Sequence, residues 1–354
     1  MQLGIIGLPM VGKTTIFELL TESRQKGGTA NKANAAMARI PDERIDYLAN
    51  LYKPKKTTYA QLEIVDIPGL APGNVKAASV FLDAVRQADA LLHVVRVFED
   101  DQVPMVNDKI DPIGDIELIN YELLLADLDL IDKRVERINA GKRKAHTEKE
   151  LHLLARLREA IENQQPISAV DLDEEEQMIM KSYQFLTSKP MLICLNLSEK
   201  DLLSGNYPDK EKVMEYCREH QIPMVELSAS IERDIAELEE EERELFMQEA
   251  GITEPGLVKV TRIMYERLGL ISFFTVGEDE VKAWTINKGT NARKAAGKIH
   301  SDIERGFIRA EVVEFEDLKK YGSMAAVKEH GLFRLEGKDY IVKDGDIIHF
   351  RFNI

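Results

Sequence analysis

The stretch "LGIIGLPMVGKTTIF", Leu3 to Phe17, constrains the fold more than any other part of the chain. An apolar run leads into a loop of the form G-x-x-x-x-G-K-T, and apolar residues at helical spacing follow, so the segment reads as strand, phosphate loop and helix. Gly7 and Gly12 allow the backbone to turn its N–H groups inward onto phosphate oxygens, and the first helical turn adds positive potential. Lys13 reaches toward the β and γ oxygens, where it is the candidate catalytic cation, and Thr14 offers its hydroxyl to magnesium. Pro9, Met10, Val11 and Thr15 fill out the candidate lining. A strand that delivers such a loop to a helix start belongs in a mostly parallel sheet covered on both faces.

The following segments keep that alternation: "QLEIVDI", a helix around Ala77 to Gln87, then "ALLHVVRV". From Ile116 to Ile138 the apolar residues instead recur at three- and four-residue steps, and a second such run, Leu151 to Ile161, follows the polar link "INAGKRKAHT". That pattern predicts an antiparallel helical hairpin, a coiled-coil arm, inserted in the sheet domain. The α/β texture resumes with "PMLICLNLSEKD" and "IPMVELSAS". Beyond Leu270, "ISFFTVG", "EVKAWTI", "GFIRAEVVEF" and "DIIHFRF" read as short strands between turn signals, a separate α+β domain. The expected organisation is a discontinuous nucleotide-binding domain over 1–117 and 187–269, a helical insertion over 118–186, and a C-terminal domain over 270–354.

With 354 residues, 44% of them apolar, the chain can bury a large core and fill two or three domains. Its formal charge of -15 disfavours non-specific binding of polyanions, so no DNA partner is expected and any nucleic-acid contact is local. No apolar stretch approaches the roughly 18 to 20 residues of a membrane span, and no leader pattern precedes Leu3. The expectation is a cytoplasmic protein without a membrane partner, with Cys194 and Cys217 as small core residues.

A phosphate loop calls for an acid at the end of a neighbouring strand, and "EIVDIPGL" supplies Asp66 for the magnesium shell, with Gly69 placed to present a backbone N–H to the γ-phosphate. GTPases of this architecture read guanine with N-K-x-D; here the position reads "NLSE", Asn196 to Glu199, with Leu197 in the lysine's place. Glutamate reaches a different point from aspartate, whereas asparagine offers a donor and acceptor pair that suits adenine, so the motif leans away from strict GTP specificity. Ser228 and Ala229 in "ELSAS" resemble the S-A element that lines the base from the other side.

Together "GLPMVGKT", "DIPGL", "HVVRVFED", "DPIGDIELINYELLLADL", "NLSEKD" and "EGKDYIVKDGDIIHFRFN" resemble the YchF subfamily of Obg-related P-loop NTPases, over nearly the whole chain. "AWTINKGTNARKAAGKIHSDIERGFIRAEV" looks like that family's C-terminal TGS domain, a β-grasp fold. The resemblance implies a G-domain with a coiled-coil arm, binding of ATP in preference to GTP with Mg2+, and association with ribosomes or translation factors. It also implies departures. The water-orienting glutamine of many GTPases is replaced by Leu70, as in the family; the family's histidine in "I-x-H-V-x-G" corresponds to Met105; and the switch run N-Y-P-F-C-T is missing, leaving Thr29 as the only threonine of that segment. Nucleotide binding is therefore better supported than hydrolysis, and slow turnover through positioning and electrostatics is the expectation, with a non-hydrolysing adaptor and a GTP-specific enzyme as alternatives.

Lys142, Arg143, Lys144 and His146 concentrate charge at the tip of the expected arm, a local candidate for ribosomal RNA on an acidic body, although charged turns are usually just solvated. Trp284 with Lys288, Arg293, Lys294 and Lys298 offers an aromatic among cations in the C-terminal domain, more simply read as a core tryptophan with surface lysines. His93, inside "LLHVVRV", reads as a hydrogen-bonded core histidine. No His, Cys and carboxylate set has zinc spacing, which leaves nucleotide-bound magnesium as the expected metal.

Overall fold

The computed structural model describes residues 1–23, 34–71, 73–104, 109–141 and 145–353. In chain order the strands are β1 (Gln2–Ile6), β2 (Asn34–Arg39), β3 (Lys56–Thr58), β4 (Gln61–Asp66), β5 (Ala90–Arg96), β6 (Met191–Asn196), β7 (Met224–Leu227), β8 (Leu270–Thr275), β9 (Glu280–Asn287), β10 (Phe307–Glu314), β11 (Arg334–Glu336) and β12 (Asp346–Phe352). The helices of the N-terminal half are α1 (Lys13–Thr21), α2 (Glu43–Tyr52), α3 (Val75–Gln87), α4 (Pro112–Ala140) and α5 (Ala145–Glu162). The chain divides into two compact units, Met1–Ala36 with Glu63–Val260 and Met37–Leu62 with Thr261–Ile354.

In the first unit the sheet order is β2-β4-β1-β5-β6-β7. β1 pairs in parallel with β4 and β5, and β6 in parallel with β5 and β7. Every residue of β5 is buried, His93 and Arg96 included, and its lack of apolar/polar alternation fits a strand covered on both faces. α3 starts where Asn74 accepts a hydrogen bond from the Ala77 N–H at 3.1 Å, and it turns Phe81 and Val85 onto the core. The register fixes the site: Ile6, the last residue of β1, lies opposite His93, and Arg96 lies opposite Asn196. The loops that leave β1, β5 and β6 therefore emerge at the carboxyl end of the strands, where ligands of open α/β sheets bind.

α4 begins with Asp111 accepting from the Gly114 N–H at 3.0 Å and with proline at its first position, and runs for 29 residues. Leu124, Ile131 and Ile138 of α4 pack with Leu153, Leu154, Leu157 and Ile161 of α5, the face that the three- and four-residue spacing predicts. At the base of this hairpin Asp127 is fully buried and accepts from the Leu186 N–H, the Thr187 N–H and the Thr187 hydroxyl at 2.7 to 2.8 Å. These bonds offset the cost of burying a carboxylate and fix where the chain returns to the sheet.

The second unit is a mixed sheet in the order β11-β10-β12-β8-β9-β3, with antiparallel β10–β12 and β8–β9 pairs and a parallel β8–β12 contact. Phe273, Ile286, Ala292, Ala295, Val312 and Ile348 form its core. The four strands read from the sequence are β8, β9, β10 and β12. The boundary differs from the expected one: the unit starts at Thr261 rather than after Gly269, and it takes in residues 37–62, expected in the first domain. The physical reason is pairing between distant segments, with Lys56, Thr57 and Thr58 of β3 opposite Glu280, Val281 and Lys282 of β9, and the Thr58 hydroxyl donating to Glu280 Oε1 at 2.6 Å. A strand of three residues carries no periodicity that sequence reading can use.

Candidate nucleotide site

The loop between β1 and α1 has the backbone its composition demands. Gly7 has φ 144° and Gly12 φ 97°, and a side chain at either would collide, with the Val94 carbonyl oxygen at 2.4 Å and with Asn196 Nδ2 at 2.4 Å respectively. Both glycines thus serve conformation and close approach together. Met10 also lies in the left-handed region, with φ 62°, and its side chain is 57% exposed. Pro9 and Thr15 are half-buried and Val11 is buried. Gly12 is the residue before α1, with no side-chain cap, so the first N–H groups of the helix stay available to an anion.

Lys13 is buried, and its ammonium donates to the Leu8 carbonyl oxygen at 2.6 Å. Burial pushes its pKa down to about 8, against the opposing pull of Asp66. The Thr14 hydroxyl, on an exposed residue, donates to Asp66 Oδ2 at 2.8 Å. Burial raises the pKa of Asp66, opposed by the Thr14 hydrogen bond and the Lys13 charge. A Cβ added at Gly69 would lie 2.9 Å from Lys13 Nζ, so the loop after β4 runs beside the lysine. The next residue, Leu70, donates its N–H to the Gly7 carbonyl at 3.3 Å and buries its side chain. Lys13, Thr14, Asp66 and Gly69 are thereby brought together, although Thr14 and Asp66 stand 52 residues apart.

The oxygen donors of Thr14 and Asp66 fit a hard cation such as Mg2+, which takes one or two protein oxygens and completes its shell with phosphates and water. Among the described residues no group of three or more His, Cys, Asp or Glu side chains is poised to cage a metal.

At the end of β6 the Asn196 side chain is a clasp. Its Nδ2 donates to the Val11 carbonyl at 3.0 Å, and its Oδ1 accepts from the Ala229 N–H at 3.0 Å, joining the phosphate loop to the loop after β7. The amide expected at the base thus has one donor and its acceptor engaged in tying two loops together. Leu197 is 2% exposed, in a cluster with Val95, Ile193 and Leu195, and Ser228 is fully buried, its hydroxyl 3.0 Å from that of Ser230. Glu199 is exposed, the first residue of the helix Glu199–Ser204.

Two residues beside the site were missed or misread. His93 is buried, but its Nδ1 has no hydrogen-bond partner, contrary to the expected satisfied core histidine, and burial with the nearby Lys13 charge pushes its pKa down to about 3. Arg96 is buried and folds back on the loop that follows it; nothing in "HVVRVFED" distinguishes it from a solvated strand end. Thr29, Met105 and the cations Lys142, Arg143 and Lys144 lie outside the described residues, as does the side chain of His146.

A parallel sheet whose first strand feeds a glycine loop, with a lysine, a threonine and a strand-end aspartate converging there, defines a P-loop protein of the GTPase fold. A family model described as "50S ribosome-binding GTPase" matches residues 2–197, and the C-terminal YchF GTPase model, described as "Protein of unknown function (DUF933)", matches residues 270–353. The chain is 44% identical to the "Ribosome-binding ATPase YchF" of Bacillus subtilis, over 99% of both chains. It is 38% identical to the human "Obg-like ATPase 1", over 100% of this chain and 92% of that one. The structure of the Schizosaccharomyces pombe YchF GTPase superimposes with a TM-score of 0.90 at 32% identity, covering 99% of this chain and 97% of that one. The chain belongs to the YchF family.

Proposed function

We propose that this protein binds ATP with Mg2+, hydrolyses it slowly and acts on the ribosome as a nucleotide-dependent switch. The observation that carries the reading is the convergence of Lys13, Thr14, Asp66 and the Gly69 backbone on one loop that opens a helix without a side-chain cap. Lys13 binds and orients the β and γ oxygens, and Thr14 holds its hydroxyl where a magnesium ligand is needed. Asp66 accepts the Thr14 hydrogen bond and would support a bound magnesium ion from its outer shell. The ion itself supplies charge neutralisation on the phosphates. The buried Leu70 side chain offers no group to orient water, which is why turnover by this chain is slow.

ATP rather than GTP is favoured by "NLSE": the exposed Glu199 stands where guanine readers carry aspartate, and the Asn196 clasp positions the base loop. Ribosome association rests on relatives whose names state it, at 41 to 44% identity over 99% of the chain. A cytoplasmic location goes with that reading, as do the arm tip and a TGS-type C-terminal domain as contact surfaces. Thermal shift with ATP, ADP, GTP and GDP plus magnesium tests base choice, and stronger stabilisation by GTP than by ATP would reverse it. Single-turnover hydrolysis with excess protein tests the enzyme: no phosphate after hours would leave a nucleotide-binding adaptor.

A further inference from the structure

The loop that leaves β5 is organised by one side chain. Arg96, 5% exposed, donates from Nε to the Phe98 carbonyl at 3.1 Å and from Nη1 to the Val103 and Pro104 carbonyls, each at 3.1 Å. Its Nη2 reaches the Val103 carbonyl at 3.2 Å and the Asp100 carbonyl at 3.4 Å, and its Cζ lies 4.4 Å from the centre of the Phe98 ring. Each of these polar partners is a backbone carbonyl, while the acids that follow, Glu99, Asp100 and Asp101, are exposed. A planar fork with five N–H donors can span four carbonyls of a tight loop; an ammonium with three cannot.

The place of this loop matters more than its rigidity. Arg96 lies opposite Asn196, the Val97 N–H donates to the Asn196 carbonyl at 2.9 Å, and Asn196 Nδ2 holds the Val11 carbonyl of the phosphate loop. The segment latched by Arg96 thus starts one residue from the clasp that sets Val11 and Gly12. β5 also runs past the phosphate loop, since a Cβ at Gly7 would meet the Val94 carbonyl oxygen at 2.4 Å, and residues 98–104 follow from the carboxyl end of that strand.

We infer that Arg96 is a positioning residue for nucleotide turnover: it fixes residues 98–104 beside the phosphate loop without touching the nucleotide. The inference rests on the reading of the site as one that hydrolyses ATP. A misplacement of about 1 Å around reacting groups can cost about 100-fold in rate, so loosening the latch acts on the rate and spares the binding that Lys13, Thr14 and the loop N–H groups provide.

The test is Arg96→Lys in the full-length protein, compared with wild type in single-turnover ATP hydrolysis and in equilibrium titration with MgATP. The expected result is a rate reduced at least tenfold, an affinity within about twofold of wild type, and faster amide exchange at Val103, whose N–H donates to the Asp100 carbonyl. An unchanged rate overturns the inference, as does a loss of affinity equal to the loss of rate, which a merely structural role would give. Should the lysine variant fail to fold, Phe98→Leu removes the stacked ring and leaves the carbonyl contacts; a rate reduced two- to threefold at unchanged affinity supports the latch, and an unchanged rate overturns it. Absence of turnover in wild type would remove the proposed hydrolysis and this inference together, whereas wild-type turnover matched by both variants removes the inference alone.

Discussion

At the phosphate loop, Lys13 donates to one carbonyl oxygen and Asp66 accepts from one hydroxyl; in the second unit, Arg44 is gripped by Asp42 and Asp344. The first arrangement leaves buried charge short of partners and moves the lysine pKa down to about 8; the second surrounds it and pushes Arg44 further up. Charged groups held in a dry site with spare hydrogen-bonding capacity are costly to the fold and useful to a ligand, whereas satisfied ones specify structure. The difference teaches where in this molecule to look for chemistry.

Four changes break or sharpen that contrast, from the largest effect to the smallest. Asp66→Ala should weaken MgATP binding by about 10- to 100-fold, the usual range for a group that supports a metal shell, and should barely alter binding of ATP in excess chelator; titrations with and without magnesium read the split. Asn196→Ala leaves the Val11 carbonyl and the Ala229 N–H without their partner and should cost about 2 to 4 kcal/mol of stability, measured by denaturant unfolding, with weaker ATP binding alongside.

The pH dependence follows from Lys13. Its pKa in the free protein is about 8 and that of an unfolded lysine 10.5, so below pH 8 both states carry the proton and the burial penalty is fully present. Between pH 8 and 10.5 the unfolded chain binds more protons, so this residue's contribution to stability rises with pH. ATP needs the charged form, so affinity should fall about tenfold between pH 7 and 9 while binding takes up a proton, which calorimetry in buffers of different ionisation enthalpy detects. A flat affinity across that range would place the lysine outside the binding event. Smallest is Arg44→Ala, half-buried and paired with two acids, which should cost the second unit about 1 to 3 kcal/mol and leave ATP affinity within twofold. Loss of ATP binding there would erase the contrast.

The site was legible where covalent spacing or strand geometry fixes it. Gly7, Gly12, Lys13 and Thr14 are consecutive parts of one loop, and Asp66 follows from the need for an acid at the end of an adjacent strand; in the structure it lies 2.8 Å from the Thr14 hydroxyl. The helical hairpin and the four C-terminal strands followed from periodicity alone. What escaped were interactions that use backbone atoms or distant pairing. The bonds of Arg96 go to carbonyl oxygens, which every residue carries, so no motif announces them. The Asn196 clasp looks in sequence like a base reader because its amide suits both tasks. β3 joins a strand that lies 222 residues away, as the Thr58 to Glu280 bond records, and three residues give no pattern. The missing partner of His93 Nδ1 is a matter of packing, and an apolar strand with one histidine gives no sign of it.

The central claim is that the phosphate loop keeps Lys13 for a triphosphate rather than for the fold. Calorimetric titration of MgATP into wild type and Lys13→Ala at pH 7.5, with melting curves of both free proteins, tests it most directly. The account predicts saturable 1:1 binding by wild type, an affinity lower by at least about 100-fold in the variant, and a free variant that melts no lower than wild type. Equal affinities, or a variant that loses stability instead of binding, would contradict it.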